Sequence, residues 1–153
     1  MLCHKFGDIV EYTPKSRQGT FVLKDPEGDG KTECRFENPN KDLGVVIQPS
    51  VVTGEQSTNC DFLLLNCDSK TAYFVELKGG TEFRKATEQI LYSIKSLRKG
   101  IANYSIVNAI IIQTKSRKST VNAPKNFYKK MILEINKLNG EFKHFSQTHT
   151  ETL

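Results

Sequence analysis

No stretch of this chain approaches the ~20 consecutive apolar residues that a membrane-spanning helix needs, so no membrane span is expected. The opening residues, Met1 to Asp8, lack the apolar core of a secretory signal, which makes a cytoplasmic location the expectation. Paired cysteine motifs are missing: Cys3, Cys34, Cys60 and Cys67 form no CxxC pair, and beyond His4, next to Cys3, the histidines His144 and His149 sit far from them. A zinc site is therefore not expected. Reduced, partly buried thiols are, with Cys60 and Cys67 packing as small residues at the ends of an apolar run. Internal repeats and low-complexity tracts are also missing.

The chain has 153 residues, the size of one ordinary domain. Its apolar runs at 62–65 and 110–112 set it apart from a disordered polar chain. The net charge of +5 is unevenly spread. Residues 1–77 hold 8 basic and 12 acidic side chains, whereas residues 78–153 hold 14 basic and 5 acidic. The basic half suits a polyanion such as nucleic acid, and equally a solvated basic surface.

Residues 1–44 are closely punctuated by Gly and Pro, with a turn at 25–30 and short strands expected at about 19–24 and 32–37. The β-branched stretch 44–52 reads as an edge or bulged strand interrupted by Pro49. Two strands then follow at 61–67 and 71–78, joined by the turn-like Asp68-Ser69-Lys70. Gly79-Gly80 ends the second, Thr81 is placed to cap a helix, and Phe83, Ala86, Ile90, Ile94 and Leu97 follow at helical spacing up to Gly100. A buried strand at 106–113 and a basic loop at 114–123 come next. Pro124 opens a helix that buries Phe127, Tyr128, Met131, Ile132, Ile135 and Leu138 and ends at Gly140. A short strand at 141–145 and a frayed tail at 146–153 complete the reading. The order β-β-β, then α-β-α-β, implies a parallel crossover over 71–113 and a mixed central sheet flanked by helices, an α/β class.

Glu76 and Lys78 lie two apart on a strand and so share a face. A two-residue turn at Asp68-Ser69 sets Asp61 opposite Glu76, and a four-residue loop sets it opposite Lys78. Either puts Asp61 on the Glu76 face, whereas a one-residue slip sends it to the other. Both faces of these strands are apolar, so hydrophobic pattern does not choose between them. Two carboxylates at an open strand end can share a hard cation such as Mg²⁺ or Mn²⁺, with the Leu77 backbone carbonyl as a further oxygen ligand. A lysine beside them can orient water or stabilise negative charge on a phosphoryl group. A salt-bridge cluster is the plainer reading of the same three residues.

Cys60-Asp61-Phe62-Leu63-Leu64-Leu65, followed by Tyr73-Phe74-Val75-Glu76-Leu77-Lys78-Gly79, resembles the PD-(D/E)XK nuclease superfamily. The resemblance covers roughly residues 44–113. It implies a restriction-endonuclease-like core and divalent-metal phosphodiester cleavage, with Asp61 and Glu76 as metal ligands and Lys78 as the catalytic lysine. Gln89 stands where some relatives carry a glutamine near the site. Cys60 replaces the proline that usually precedes the aspartate, and Tyr92 falls three rather than four residues after Gln89. Glu37 and Glu55 are candidates for an additional acidic ligand. A second ExK triplet, Glu141-Phe142-Lys143, reads as a solvent-facing strand.

Lys115, Arg117, Lys118 and Lys125 are candidate nucleic-acid contacts, and equally a solvated basic surface. His144 and His149 read as residues of an exposed tail. The expectation is one domain with its core at about 44–145. It would be a Mg²⁺- or Mn²⁺-dependent DNA endonuclease, acting as a homodimer in restriction, defence or recombination. The alternatives are a nuclease-fold subunit active only with a partner, and a ribonuclease.

Overall fold

The computed structural model describes residues 3, 5–6, 15–25, 32–55, 57–78, 82–114 and 124–153. Among the described residues, eight strands and three α-helices are arranged in three layers. A five-stranded mixed sheet has the order β3(Gly44–Ile47), β4(Phe62–Asn66), β5(Thr71–Lys78), β6(Ile106–Gln113), β7(Phe142–Ser146). A second, three-stranded sheet has the order β1(Thr20–Lys24), β2(Glu33–Glu37), β8(Thr148–Thr152). The helices are α1(Pro49–Thr53), α2(Phe83–Leu97) and α3(Pro124–Asn136).

Pairing is antiparallel from β3 through β5 and parallel from β5 through β7. Parallel neighbours need a long crossover, supplied here by α2 and then α3. β5 and β6 sit inside the sheet and are covered on both faces, so they read as continuous apolar runs instead of alternating ones. Phe74, Ala109 and Ile111 point to the helical layer, where they meet Phe83, Ala86, Ile90 and Met131. Tyr73, Val75, Ile110 and Ile112 point to the other side, where Phe21, Leu23 and Phe36 of the small sheet cover them.

The β4–β5 hairpin sets the register on which the site depends. Asn66 Oδ1 accepts from the backbone N–H groups of Asp68 (3.1 Å) and Ser69 (3.0 Å), which folds the turn locally. Lys70 takes the left-handed conformation at φ 57°, and the ladder closes at Asn66 opposite Thr71. It then runs without slip to Phe62 opposite Val75. Asp61 is the next residue out, beside Glu76.

Several expectations are corrected. Pro49 does not interrupt a strand; it sits in the first turn of α1, where its missing N–H costs nothing. Residues 146–153 are not a frayed tail, because Thr148–Thr152 form β8, pair in parallel with β2, and are followed by Leu153 N–H donating to the Glu37 carbonyl. The partner strand lies more than 100 residues upstream, which local pattern does not reveal. Tyr128, expected in the core, is 36% exposed. Past Leu97 the chain tightens into a 3₁₀ turn, Arg98–Ile101, instead of stopping at Gly100. Cys3 and Cys67 are joined as a disulfide, so only Cys34 and Cys60 remain as buried free thiols. A bridge spanning 64 residues leaves no spacing signature. It is also at odds with the expected cytoplasmic setting, where disulfides are rare. Gly79, Gly80 and Thr81 lie outside the described residues.

Candidate active site

At the outer end of β5, beyond the last β4–β5 pair, the chain places Asp61, Glu76 and Lys78 together. Glu76 alternates onto the Phe74 face, the side of the helices. It is 1% exposed. Its Oε2 accepts from the Asp61 backbone N–H at 3.0 Å, and its Oε1 is 3.2 Å from Lys78 Nζ. Asp61 answers across the gap: its Oδ2 accepts from the Leu77 N–H at 2.8 Å. Each acidic residue thus holds the backbone of the other's strand. A strand residue's N–H and C=O point to one edge, so the Leu77 carbonyl faces Asp61 as well.

Two carboxylates so close, one of them buried, oppose each other's ionisation. Burial, then the charge of Asp61, raises the Glu76 pKa to about 8, while Lys78 pulls it back down. The same surroundings push the Cys60 thiol well above its ordinary value, burial first and then Glu76. Cys60 is therefore an inert, protonated core residue.

The donor set is oxygen only, with a buried carboxyl, Glu76, beside a half-buried one, Asp61. That chemistry fits a hard divalent cation, which relieves the repulsion that burial enforces. Asp61, Glu76 and the Leu77 carbonyl are the groups that would hold it. Among the described residues no three of His, Cys, Asp and Glu converge as a ligand cluster. A third acidic ligand from Glu37 or Glu55 is thus not brought to the site. Glu37 lies on β2, in the sheet that covers the opposite face. Glu55 is exposed, and its carboxyl is lowered by hydrogen bonds from Tyr92 (2.7 Å) and Thr58 (3.0 Å).

Gln89 is buried on α2, and its Nε2 donates to the carbonyls of Ser57 (3.2 Å) and Asn59 (3.1 Å). It grips the loop that leads into Asp61. Its Oε1 is buried with no hydrogen-bond partner. Lys125 is exposed in the first turn of α3. Lys115, Arg117 and Lys118 lie outside the described residues. In the second ExK triplet, Lys143 is paired with Glu151 at 2.7 Å and with the exposed Glu141 at 3.7 Å.

Two polar groups near the site were not legible as such. Ser93 and Asn59 are buried against the loop before Asp61. The visible signal was a serine within the apolar stripe of α2, three residues past Ile90 and four before Leu97. His144 belongs to β7 and not to a tail. Its Nε2 lies 2.7 Å from Gln113 Oε1, and Gln113 stands opposite Lys78 in the β5–β6 register. Burial lowers the His144 imidazole below its ordinary pKa. His149 stacks on Phe145 and reaches Glu151 at 2.9 Å.

No family model matches the chain, and comparisons with curated proteins and with solved structures return no match either. Among the described residues no helix is long and apolar enough to cross a membrane.

Proposed function

We propose that the chain is a divalent-metal-dependent endonuclease with a restriction-endonuclease-like core, hydrolysing phosphodiester bonds of DNA through Asp61, Glu76 and Lys78. The observation that carries the reading is the reciprocal Asp61–Glu76 arrangement at a strand end, with Lys78 Nζ 3.2 Å from Glu76. A buried carboxyl beside a second acid is costly to keep ionised, and a bound cation would offset that cost.

Mg²⁺ or Mn²⁺, when bound, supplies Lewis-acid polarisation of a phosphodiester oxygen and a water of lowered pKa. The chain's own residues do the rest. Asp61 and Glu76 would hold the cation, each carboxyl being anchored to the other's backbone. Lys78, half withdrawn from solvent, faces the same point and offsets the charge that builds on the phosphoryl oxygens. The basic second half of the chain supplies attraction for the polyanion. A homodimer acting on two strands suits a chain of this size, and restriction, defence or recombination suits the superfamily it resembles.

The test is incubation of pure protein with circular DNA, linear DNA and RNA in EDTA, Mg²⁺ or Mn²⁺, alongside Glu76→Ala and Lys78→Ala. Metal-dependent cleavage lost in both variants is expected. Wild-type protein that leaves every substrate intact with both metals overturns the reading.

A further inference from the structure

We infer that Ser93 and Asn59 are positioning residues, forming a buried hydrogen-bond relay that runs from α2 to the backbone beside Asp61 and fixes where its carboxylate stands. The inference rests on the nuclease reading and adds to it residues that do not touch the reacting atoms.

α2 presents Ala86, Ile90 and Leu97 to the sheet, and Ser93 occupies the same stripe at 0% exposure. An aliphatic residue there would pack without needing a partner. The hydroxyl instead accepts from the Cys60 N–H at 2.8 Å and donates to Asn59 Oδ1 at 3.1 Å. Asn59, 2% exposed, uses its Nδ2 to donate to Thr53 Oγ1 (2.7 Å) and to the Glu55 carbonyl (2.5 Å). The segment that delivers Asp61 is thus tied to the end of α1 behind it and to α2 beside it. One residue later, the Asp61 N–H is held by Glu76 on β5.

Buried hydroxyl and amide groups destabilise a core unless all their partners are present, so such a network holds one geometry and penalises departures from it. The geometry it holds is that of residues 59 and 60, and through them residue 61. The relay also needs a backbone N–H at position 60. A proline there has none to give. Cys60 supplies it.

A ligand carboxylate that is no longer held in place binds metal less well. Loss of such outer contacts typically costs about 10- to 100-fold in metal affinity or activity. The experiment is calorimetric titration of the full chain with Mn²⁺, comparing wild type, Ser93→Ala, Ser93→Thr, Asn59→Ala and Asp61→Asn. Thermal melts in EDTA provide the control for folding. Ser93→Ala is expected to raise the Mn²⁺ dissociation constant about 10- to 100-fold. Ser93→Thr, which keeps the hydroxyl, is expected to restore affinity. If Ser93→Ala does not fold, Asn59→Ala reads the same relay from its other end. Folded Ser93→Ala and Asn59→Ala that bind Mn²⁺ as wild type does, with Asp61→Asn impaired, overturn the relay and leave the site standing. Wild-type protein that takes up no Mn²⁺, or an Asp61→Asn variant that binds normally, overturns the site and the relay with it.

Discussion

Asp61 and Glu76 sit opposite each other at the end of the β4–β5 hairpin, and each carboxylate accepts a backbone N–H from the other's strand, at 2.8 Å to Leu77 and 3.0 Å to Asp61. The acids are therefore part of the hairpin's hydrogen bonding as well as its charge. Removing either one alters both the local fold and the local field.

In the proposed nuclease Lys78 acts through its charge, held 3.2 Å from Glu76. Lys78→Ala is expected to lower kcat by about 100-fold or more while metal binding persists, as with other groups that stabilise transition-state charge. Cleavage rates at saturating metal, set beside Mn²⁺ affinity, check this. A variant that cleaves at the wild-type rate removes Lys78 from the chemistry.

Glu76 makes the metal-free protein sensitive to pH. Its pKa rises from the ordinary 4.5 to about 8 on folding, so the folded state favours the protonated acid. This contribution to stability is complete below the ordinary value and is lost as pH rises through about 8. In EDTA, urea midpoints are expected to fall between about pH 5 and about pH 8, and Glu76→Gln is expected to flatten that fall. Adding Mg²⁺ or Mn²⁺ is expected to restore wild-type stability at the alkaline end. Parallel pH profiles for wild type and Glu76→Gln count against the assigned burial.

The Cys3–Cys67 bridge closes a loop over a sequence separation of 64 residues. Its loss in Cys3→Ser is expected to lower unfolding free energy by about 2–4 kcal/mol through the unfolded chain's regained freedom. Urea denaturation of the variant, and of wild type with and without reductant, measures it. Reductant that leaves wild type unchanged shows that the bridge is not formed in solution.

Gly140 lies where the chain passes β6 after α3. A Cβ there would stand 1.8 Å from the Val107 carbonyl oxygen. Because that neighbour is backbone, Gly140→Ala is expected to destabilise the fold by about 1–3 kcal/mol. The midpoint of a thermal or urea transition reads this directly.

The sequence made the β5–α2–β6–α3–β7 half legible because its signals are local. Phe83, Ala86, Ile90 and Leu97 repeat at helical spacing, and the buried run 106–113 stands alone between polar flanks. The pairing of Asp61 with Glu76 was only half legible. Residue types named the chemistry, but the register came from Asn66 folding the turn with its side chain. The small sheet was the least legible part. β1 and β2 were readable as short strands, yet β8 completes them from the far end of the chain, and nothing near Thr148 announces it. The Ser93–Asn59 contact is likewise a property of the tertiary structure, since 34 positions separate its partners.

That distant closure has a consequence for the order of assembly. β2 has β1 close by in sequence for one edge, but its other edge stays open until residues 148–152, more than 100 positions further along, pair with it. Until then the apolar face formed by Phe21, Leu23 and Phe36 is supported from one side only. Long-range strand pairing of this kind is slow, and an open edge in the interval is where two nascent chains can join wrongly. β8 therefore acts as a latch on the small sheet. A chain stalled before residue 148 keeps its carboxylate pair, yet it carries an unpaired, aggregation-prone edge on the face away from it.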